Sequence, residues 1–210
     1  MSSEHDTWDV LIPDTLETLD DGFHIFHFRF SPRLRTSDAD HGNLVETERH
    51  RAVQFHHQID RNRFTVGRSL LRQVLGRALG MEPLEIPLCI EKGRPFLDLE
   101  LGDRWQFNIS HSGECVMLIL SQQHQVGIDV EVYRDFPDMD QVAKRVMTDE
   151  EFDSYRQLAK AHRIDAFYRL WVRKESILKY LGTGFEIEPR RLSVGHMKNN
   201  ITEASFEGQR

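Results

Sequence analysis

Residues 24–30, HIFHFRF, alternate between apolar and polar positions and predict a strand. Further on the period lengthens. Leu44 to Ile59 predicts a helix with Ala52, Phe55 and Ile59 on one side. Phe64 to Leu79 predicts a clearer one: Leu70, Leu71, Val74, Leu75, Ala78 and Leu79 follow i, i+3, i+4 spacing, and Gly80 stops it. Pro83 to Leu101 predicts strand, turn, strand around Lys92-Gly93-Arg94-Pro95. Three further strands are expected at Trp105 to Ile109, Cys115 to Leu120 and Val126 to Val132, the last two as a hairpin across a short polar loop. Beyond Pro137 the pattern turns helical. Thr148-Asp149-Glu150-Glu151 is a capping-box sequence, and a long helix is expected from about Ile164 to Leu181, with Gly182 as its stop. Arg191 to Val194 is a final strand candidate, and the polar residues 198–210 are expected to fray. This order of strands and helices predicts an α+β fold with antiparallel sheets packed on long helices. A short echo joins the two long helices, Ser69-Leu70-Leu71-Arg72 and Ser176-Ile177-Leu178-Lys179; four positions do not by themselves establish a repeat.

Charge changes this picture locally. The net charge of −7 equals the seven acids of residues 1–21, a segment without Lys or Arg. Residues 47–77 carry arginines at 49, 51, 61, 63, 68, 72 and 77 against only Glu48 and Asp60. Such a patch on an acidic protein suits a compact polyanion or a solvated helix face; a nucleic-acid surface is disfavoured, because such binders are usually basic throughout with aromatics among the bases. No apolar run approaches the roughly 18 residues of a membrane span, and the N-terminus shows no basic and apolar leader. Cys89 and Cys115 form no CxxC and lie in apolar stretches, where buried thiols are expected. A soluble cytoplasmic protein with neither membrane nor nucleic-acid partner is the expectation.

Three short stretches carry chemistry. In a strand over VGIDVEV, Asp129 and Glu131 share one face, about 6.6 Å apart along the chain. Paired carboxylates there either form a solvent-facing edge or hold a hard cation such as Mg2+. In WVRKESILKYL, Glu175 falls about 40° from Trp171 around the helix, inside the arc of Ile164, Phe167, Trp171 and Leu178. An acid on an apolar arc needs a partner: Lys179 at i+4, the arginine-rich helix, or a cation shared with Asp129 and Glu131. In WQFNISHSG, Asn108, Ser110, His111 and Ser112 cluster at a strand end. Neighbouring strand residues point to opposite faces, so a Ser110–His111 nucleophile couple is disfavoured; turn residues or phosphate donors are the alternatives. No GxGxxG or Walker A sequence is present.

Taken in order, NISHSG, GIDVE and WVRKESILK resemble the 4′-phosphopantetheinyl transferases of the surfactin-synthetase-activating type, which share F-N-x-S-H-S, G-[IV]-D-x-E and W-x-x-K-E-[SA]-x-x-K. The spacings are also similar, with 18 residues from His111 to Asp129 and 44 from Glu131 to Glu175. Upstream, ERHRAVQF, DRNRFTVGRSLLR and KGRPFL resemble the family's arginine-bearing helices and its G-[KR]-P segment. The resemblance covers roughly residues 45–195 and implies two similar α/β subdomains forming an intramolecular pseudo-dimer, hence a monomer, with the active site in the cleft. The expected division is 1–121 and 122–210, with the acidic residues 1–21 unassigned.

The resemblance also implies the reaction: Mg2+-dependent transfer of phosphopantetheine from coenzyme A to a serine of an apo acyl or peptidyl carrier protein, releasing adenosine 3′,5′-bisphosphate. Mn2+ is an alternative metal. By the same resemblance Arg51, Arg63 and His111, with Arg49 a weaker candidate, contact the 3′-phosphate. Arg94, Ser110 and Lys179 contact the diphosphate. Asp129, Glu131 and Glu175 hold the metal, Glu175 doubles as general base, and Lys174 belongs to the binding motif. Arg94 stands where the best-known members have Lys, and Glu48 stands where a base is expected. Phe136 and Met139 are candidates for contact with the carrier, or for core. Two rival classes are a catalytically silent carrier-binding module and another Mg2+-dependent phosphoryl enzyme such as a nuclease.

Overall fold

The computed structural model describes residues 22–31, 35–91, 93–98, 105–122, 124–182, 187–195 and 205–206. In chain order the elements are β1 (Phe23–Arg29), α1 (Asp38–Gly42), α2 (Glu46–Val53), α3 (Gln58–Leu79), β2 (Leu88–Glu91), β3 (Arg94–Leu97), β4 (Gln106–Ser112), β5 (Cys115–Ser121), α4 (Met139–Val146), α5 (Asp149–Arg156), α6 (Lys160–Leu181), β6 (Leu192–Ser193) and β7 (Ser205–Phe206). They divide into two compact units, Met1–Phe107 with Glu114–His124, and Asn108–Gly113 with Gln125–Arg210. Mixed helices and antiparallel sheets are thus present. The Asn108–Gly113 strand end, expected with the N-terminal half, belongs to the second unit.

In the first unit β1 pairs antiparallel with β5, from Phe23 opposite Ser121 to Arg29 opposite Cys115. The alternation of HIFHFRF is real: His24, Phe28 and Phe30 are buried while Ile25, His27 and Arg29 are exposed. Helix α3 buries Val66, Leu70, Leu71, Val74 and Leu75 and ends at Gly80, whose φ of 67° lies in the left-handed region a glycine tolerates best. It begins at Gln58, six residues earlier than the apolar spacing suggested, and the helix expected over 44–59 breaks after Val53. Phe55 lies in the break. Its carbonyl accepts from the Arg61 guanidinium at 3.2 Å rather than from a helical amide, and its ring packs on Phe64. The β2–β3 ribbon pairs Cys89 with Phe96 and is open to solvent, so Cys89 is exposed; Cys115, at the start of β5, is half-buried, where buried thiols were expected at both positions.

Glu48, out of place in an arginine patch, is explained by burial. Its carboxylate takes Arg72 Nε at 2.8 Å on one oxygen and Arg72 Nη2 at 3.1 Å on the other. Arg68 adds a contact at 3.5 Å. Arg72 is 2% exposed and donates its Nη1 to the carbonyls of Pro83 and Ile86. Two of the seven arginines are therefore spent on the interior. Burial also pushes the Arg68 guanidinium below its usual range, against the opposing charge of Glu48.

The second unit buries Met139, Ala143, Val146, Met147, Tyr155, Phe167, Leu170, Leu178, Leu192 and Val194, with Phe136 and Trp171 packed against them. Met139 is thus core, while Phe136 is half-buried and stands edge-on to Phe167. The Thr148 capping box is present: Glu151 N–H donates to Thr148 Oγ1 and Thr148 N–H to Glu151. The strand expected at 191–194 is the two-residue β6, paired with β7. No helix among the described residues is long and apolar enough to cross a membrane.

Both units contain the same polar hub, and it sets the true register of the internal echo. The fifteenth residue of each 22-residue helix, Arg72 in α3 and Lys174 in α6, is a buried cation. Each pairs with the third residue of an eight-residue helix, Glu48 in α2 or Glu151 in α5. Each also caps two carbonyls of a proline-led 3-10 turn, at Pro83 and Ile86 or at Pro189 and Leu192. Arg72 thus corresponds to Lys174 and Gly80 to Gly182, five residues away from the alignment suggested by the Ser-Leu-Leu-Arg match.

Candidate functional site

Residues 125–136 carry no strand, so the expected strand over 126–132 and its hairpin are not formed. The period-two reading of the side chains nevertheless holds, because side chains of β4 replace a backbone ladder. Asn108, Ser110 and Ser112 project from one face of β4, as alternate strand residues do. Asn108 Oδ1 accepts the Ile128 N–H at 3.1 Å, and Ser112 Oγ accepts the Val132 N–H at 3.2 Å. Ser110 Oγ donates to Asp129 Oδ1 at 2.7 Å, and Ser112 Oγ donates to Glu131 Oε2 at 2.6 Å. The two carboxylates are therefore held in register by two serines two residues apart.

Helix α6 supplies the other wall. Its apolar stripe buries Phe167, Leu170 and Leu178 and leaves Glu175 half-buried. Lys179 does not pair with Glu175 at i+4. Its Nζ lies 2.6 Å from Asp129 Oδ1 and 2.8 Å from Ser110 Oγ. Gly127 allows this closeness: a Cβ there would collide with the Ser176 carbonyl oxygen and the Tyr180 amide nitrogen of α6. Gly127→Ala is expected to cost about 1–3 kcal/mol of overpacking and to displace Asp129 from Lys179. A lower urea midpoint together with reduced activity would show it; an unchanged midpoint would contradict the close approach.

Two buried oxygens at this site have no partner among the described residues, Asp129 Oδ2 and Glu175 Oε1. Burial raises the Glu175 pKa, and the negative charges of Asp129 and then Glu131 add to the rise against the opposing Lys179. Orphaned carboxylate oxygens in a mutually repelling group are chemistry a hard cation would satisfy. Among the described residues no group of three or more His, Cys, Asp or Glu side chains is placed to hold a metal ion. The residue types fit a cation, and Lys179 supplies the positive charge at Asp129.

Lys174 does something else. It is fully buried, with Nζ 2.6 Å from Glu151 Oε2, 2.9 Å from the Pro189 carbonyl and 2.6 Å from the Leu192 carbonyl. Glu151 Oε1 in turn accepts the Val194 N–H at 3.0 Å. So placed, Lys174 offers no ammonium surface to a ligand, which removes it from the binding set. Helix geometry alone leaves this open: Lys174 lies about 60° from Trp171, on the opposite shoulder of the apolar arc from Glu175. Sequence reasoning gave Asn108 and Ser112 no specific role, and Glu151 no role beyond its cap.

In the first unit Arg49 bonds the His41 carbonyl and sits 3.6 Å from Glu46. Arg51 donates to Gln54 at 3.0 Å and lies over the Phe55 ring. Arg63 is 3.5 Å from Asp60. Arg94 heads β3, half-exposed, and burial lowers its pKa. His111 is exposed on β4, pointing away from the Ser110–Ser112 face.

Comparison with known proteins agrees with these motifs. A family model described as the 4′-phosphopantetheinyl transferase superfamily matches residues 125–210, and one described as 4′-phosphopantetheinyl transferase, N-terminal, matches residues 31–123. The chain is 34% identical over 179 residues to 4′-phosphopantetheinyl transferase HetI of Nostoc sp., covering 82% of this chain and 73% of that protein. It is 32% identical over 148 residues to 4′-phosphopantetheinyl transferase Sfp of Bacillus subtilis, covering 70% and 64%. Against the human L-aminoadipate-semialdehyde dehydrogenase-phosphopantetheinyl transferase it is 30% identical over 160 residues, spanning only 52% of that protein.

Proposed function

We propose, because the chain belongs to the 4′-phosphopantetheinyl transferase superfamily, that it moves the 4′-phosphopantetheine group of coenzyme A onto a serine of an apo acyl or peptidyl carrier protein. The observation that carries this reading is the Ser110–Asp129–Lys179 triangle beside Glu131 and the partnerless Glu175 oxygen. A nuclease would need carboxylates and cations but not these ordered motifs. A silent carrier-binding module would need none of the polar groups held here.

The carrier serine oxygen attacks the β-phosphorus of coenzyme A, and the bond to the adenosine 3′,5′-bisphosphate oxygen breaks. Glu175 receives the serine proton, directly or through water; its raised pKa suits a group that must take one up. Asp129, Glu131 and Glu175 would hold a divalent cation, Mg2+ or Mn2+, which when bound supplies charge neutralisation at the diphosphate. Arg94, Ser110 and Lys179 are assigned to the diphosphate, with Lys179 and Arg94 contributing positive charge to it. Arg51, Arg63 and His111, with Arg49 a further candidate, are assigned to the 3′-phosphate.

The finer assignment within the superfamily is the surfactin-synthetase-activating type, acting as a monomeric pseudo-dimer. It is supported by the two separate family matches and by the repeated Arg72–Glu48 and Lys174–Glu151 hubs. Chromatographic detection of adenosine 3′,5′-bisphosphate tests the chemistry. Its release should require both apo carrier and a divalent cation and should stop on chelation. Release that persists in excess chelator would remove the cation from the reading.

A further inference from the structure

We infer that Ser112 is a positioning residue that aims the Glu131 carboxylate, so that the spacing of the two acids is set by β4 and not by their own segment. A hydroxyl has one proton to give. Ser112 Oγ accepts the Val132 N–H at 3.2 Å, which leaves its own proton for Glu131 Oε2 at 2.6 Å. The direction of the second bond is set by the ionised carboxylate, which can only accept. One carboxylate oxygen is occupied, and the other is left as a single, oriented ligand atom for a cation.

Such an anchor is needed here because residues 125–136 have no ladder to hold them. Among the described residues four side-chain bonds tie β4 to the acid-bearing stretch, from Asn108 to Ile128, Ser110 to Asp129, and Ser112 to both Glu131 and Val132. Ser110 has a second attachment in Lys179, 2.8 Å away, so Asp129 is held twice over. Among the described residues Glu131 has Ser112 as its one hydrogen-bond partner. Loss of Ser112 therefore frees Glu131, whereas loss of any one tie leaves Asp129 held.

The inference rests on the cation reading above, and its test separates the two. Free Mn2+ is titrated into the full chain and followed by electron paramagnetic resonance, without coenzyme A or carrier. Ser112→Ala should weaken Mn2+ binding about 10-fold, the lower end of what oriented outer partners of metal ligands contribute. Ser112→Thr, which keeps the hydroxyl, should bind close to wild type. In a Glu131→Gln background Ser112→Ala should cause no further loss, since residues that act through one another are non-additive. Urea midpoints of the metal-free variants check that all remain folded. Wild-type affinity in Ser112→Ala, an equal loss in Ser112→Thr, or an equal loss in the Glu131→Gln background would each overturn the inference while leaving the cation reading in place. Failure of the unaltered chain to bind Mn2+ would overturn both.

Discussion

Glu175→Gln should slow phosphopantetheine transfer by about 10²–10³-fold or more, while the metal-free protein remains as stable as wild type or becomes slightly more so. The two halves of this expectation have one cause. Glutamine keeps the size and hydrogen-bonding reach of the side chain but removes the charge, so it can neither take the serine proton nor neutralise a cation. For stability the sign runs the other way. A carboxyl whose pKa is raised on folding binds its proton more tightly in the folded state, so its ionised form works against folding at neutral pH. Burial and the charges of Asp129 and Glu131 raise it here. Removing the charge relieves that cost, which exposure of the half-buried side chain keeps small. Single-turnover kinetics with a thermal midpoint in the absence of metal would check both. A variant that is fully active, or one inactive because it is unfolded, contradicts the assignment.

Lys174→Met should leave the binding groups in place and instead lower stability by about 3–5 kcal/mol, as expected when one partner of a buried ion pair is removed. The ammonium is surrounded: Glu151 on one side, the Pro189 and Leu192 carbonyls on the other. Taking it away leaves the buried Glu151 carboxylate without its counter-charge and removes one donor from each of the two carbonyls. The loss should be read from the urea midpoint. Simultaneous replacement of Glu151 by Leu should recover part of it, since no uncompensated charge then remains. A change under about 1 kcal/mol in Lys174→Met, within the usual range for surface substitutions, together with weakened coenzyme A binding, would return Lys174 to the ligand set.

Why Glu175 was legible from the chain and Lys174 was not follows from helix geometry. Both lie on shoulders of the same apolar arc, one residue apart. An acid beside Trp171 is conspicuous, whereas a lysine can be imagined to reach solvent along its stem. Only the position of Glu151, on another helix, decides that Lys174 turns inward. The same is true of Glu48, an anomaly in the arginine patch until Arg72 is found across from it. Local signals performed well where the cause is local: the alternation of β1, the Thr148 cap, and the left-handed Gly182 that ends α6 at φ 71°.

The stretch 126–132 lies between these cases. Period-two reasoning correctly put Asp129 and Glu131 on one side but inferred a ladder that does not form. The backbone amides of Ile128 and Val132 are satisfied by Asn108 and Ser112 side chains. Nothing in VGIDVEV itself distinguishes a strand paired by backbone from an extended segment held by side chains. The information sits in NISHS, whose polar residues alternate at the spacing required.

The account stands most directly on the mass of a carrier protein. The chain is incubated with coenzyme A, Mg2+ and a panel of apo acyl and peptidyl carrier proteins, and each carrier is weighed by mass spectrometry. At least one carrier should gain a single phosphopantetheine, and the gain should vanish when its acceptor serine is replaced by alanine. No gain on any carrier, with Mg2+-dependent cleavage of nucleic acid appearing instead, would contradict it.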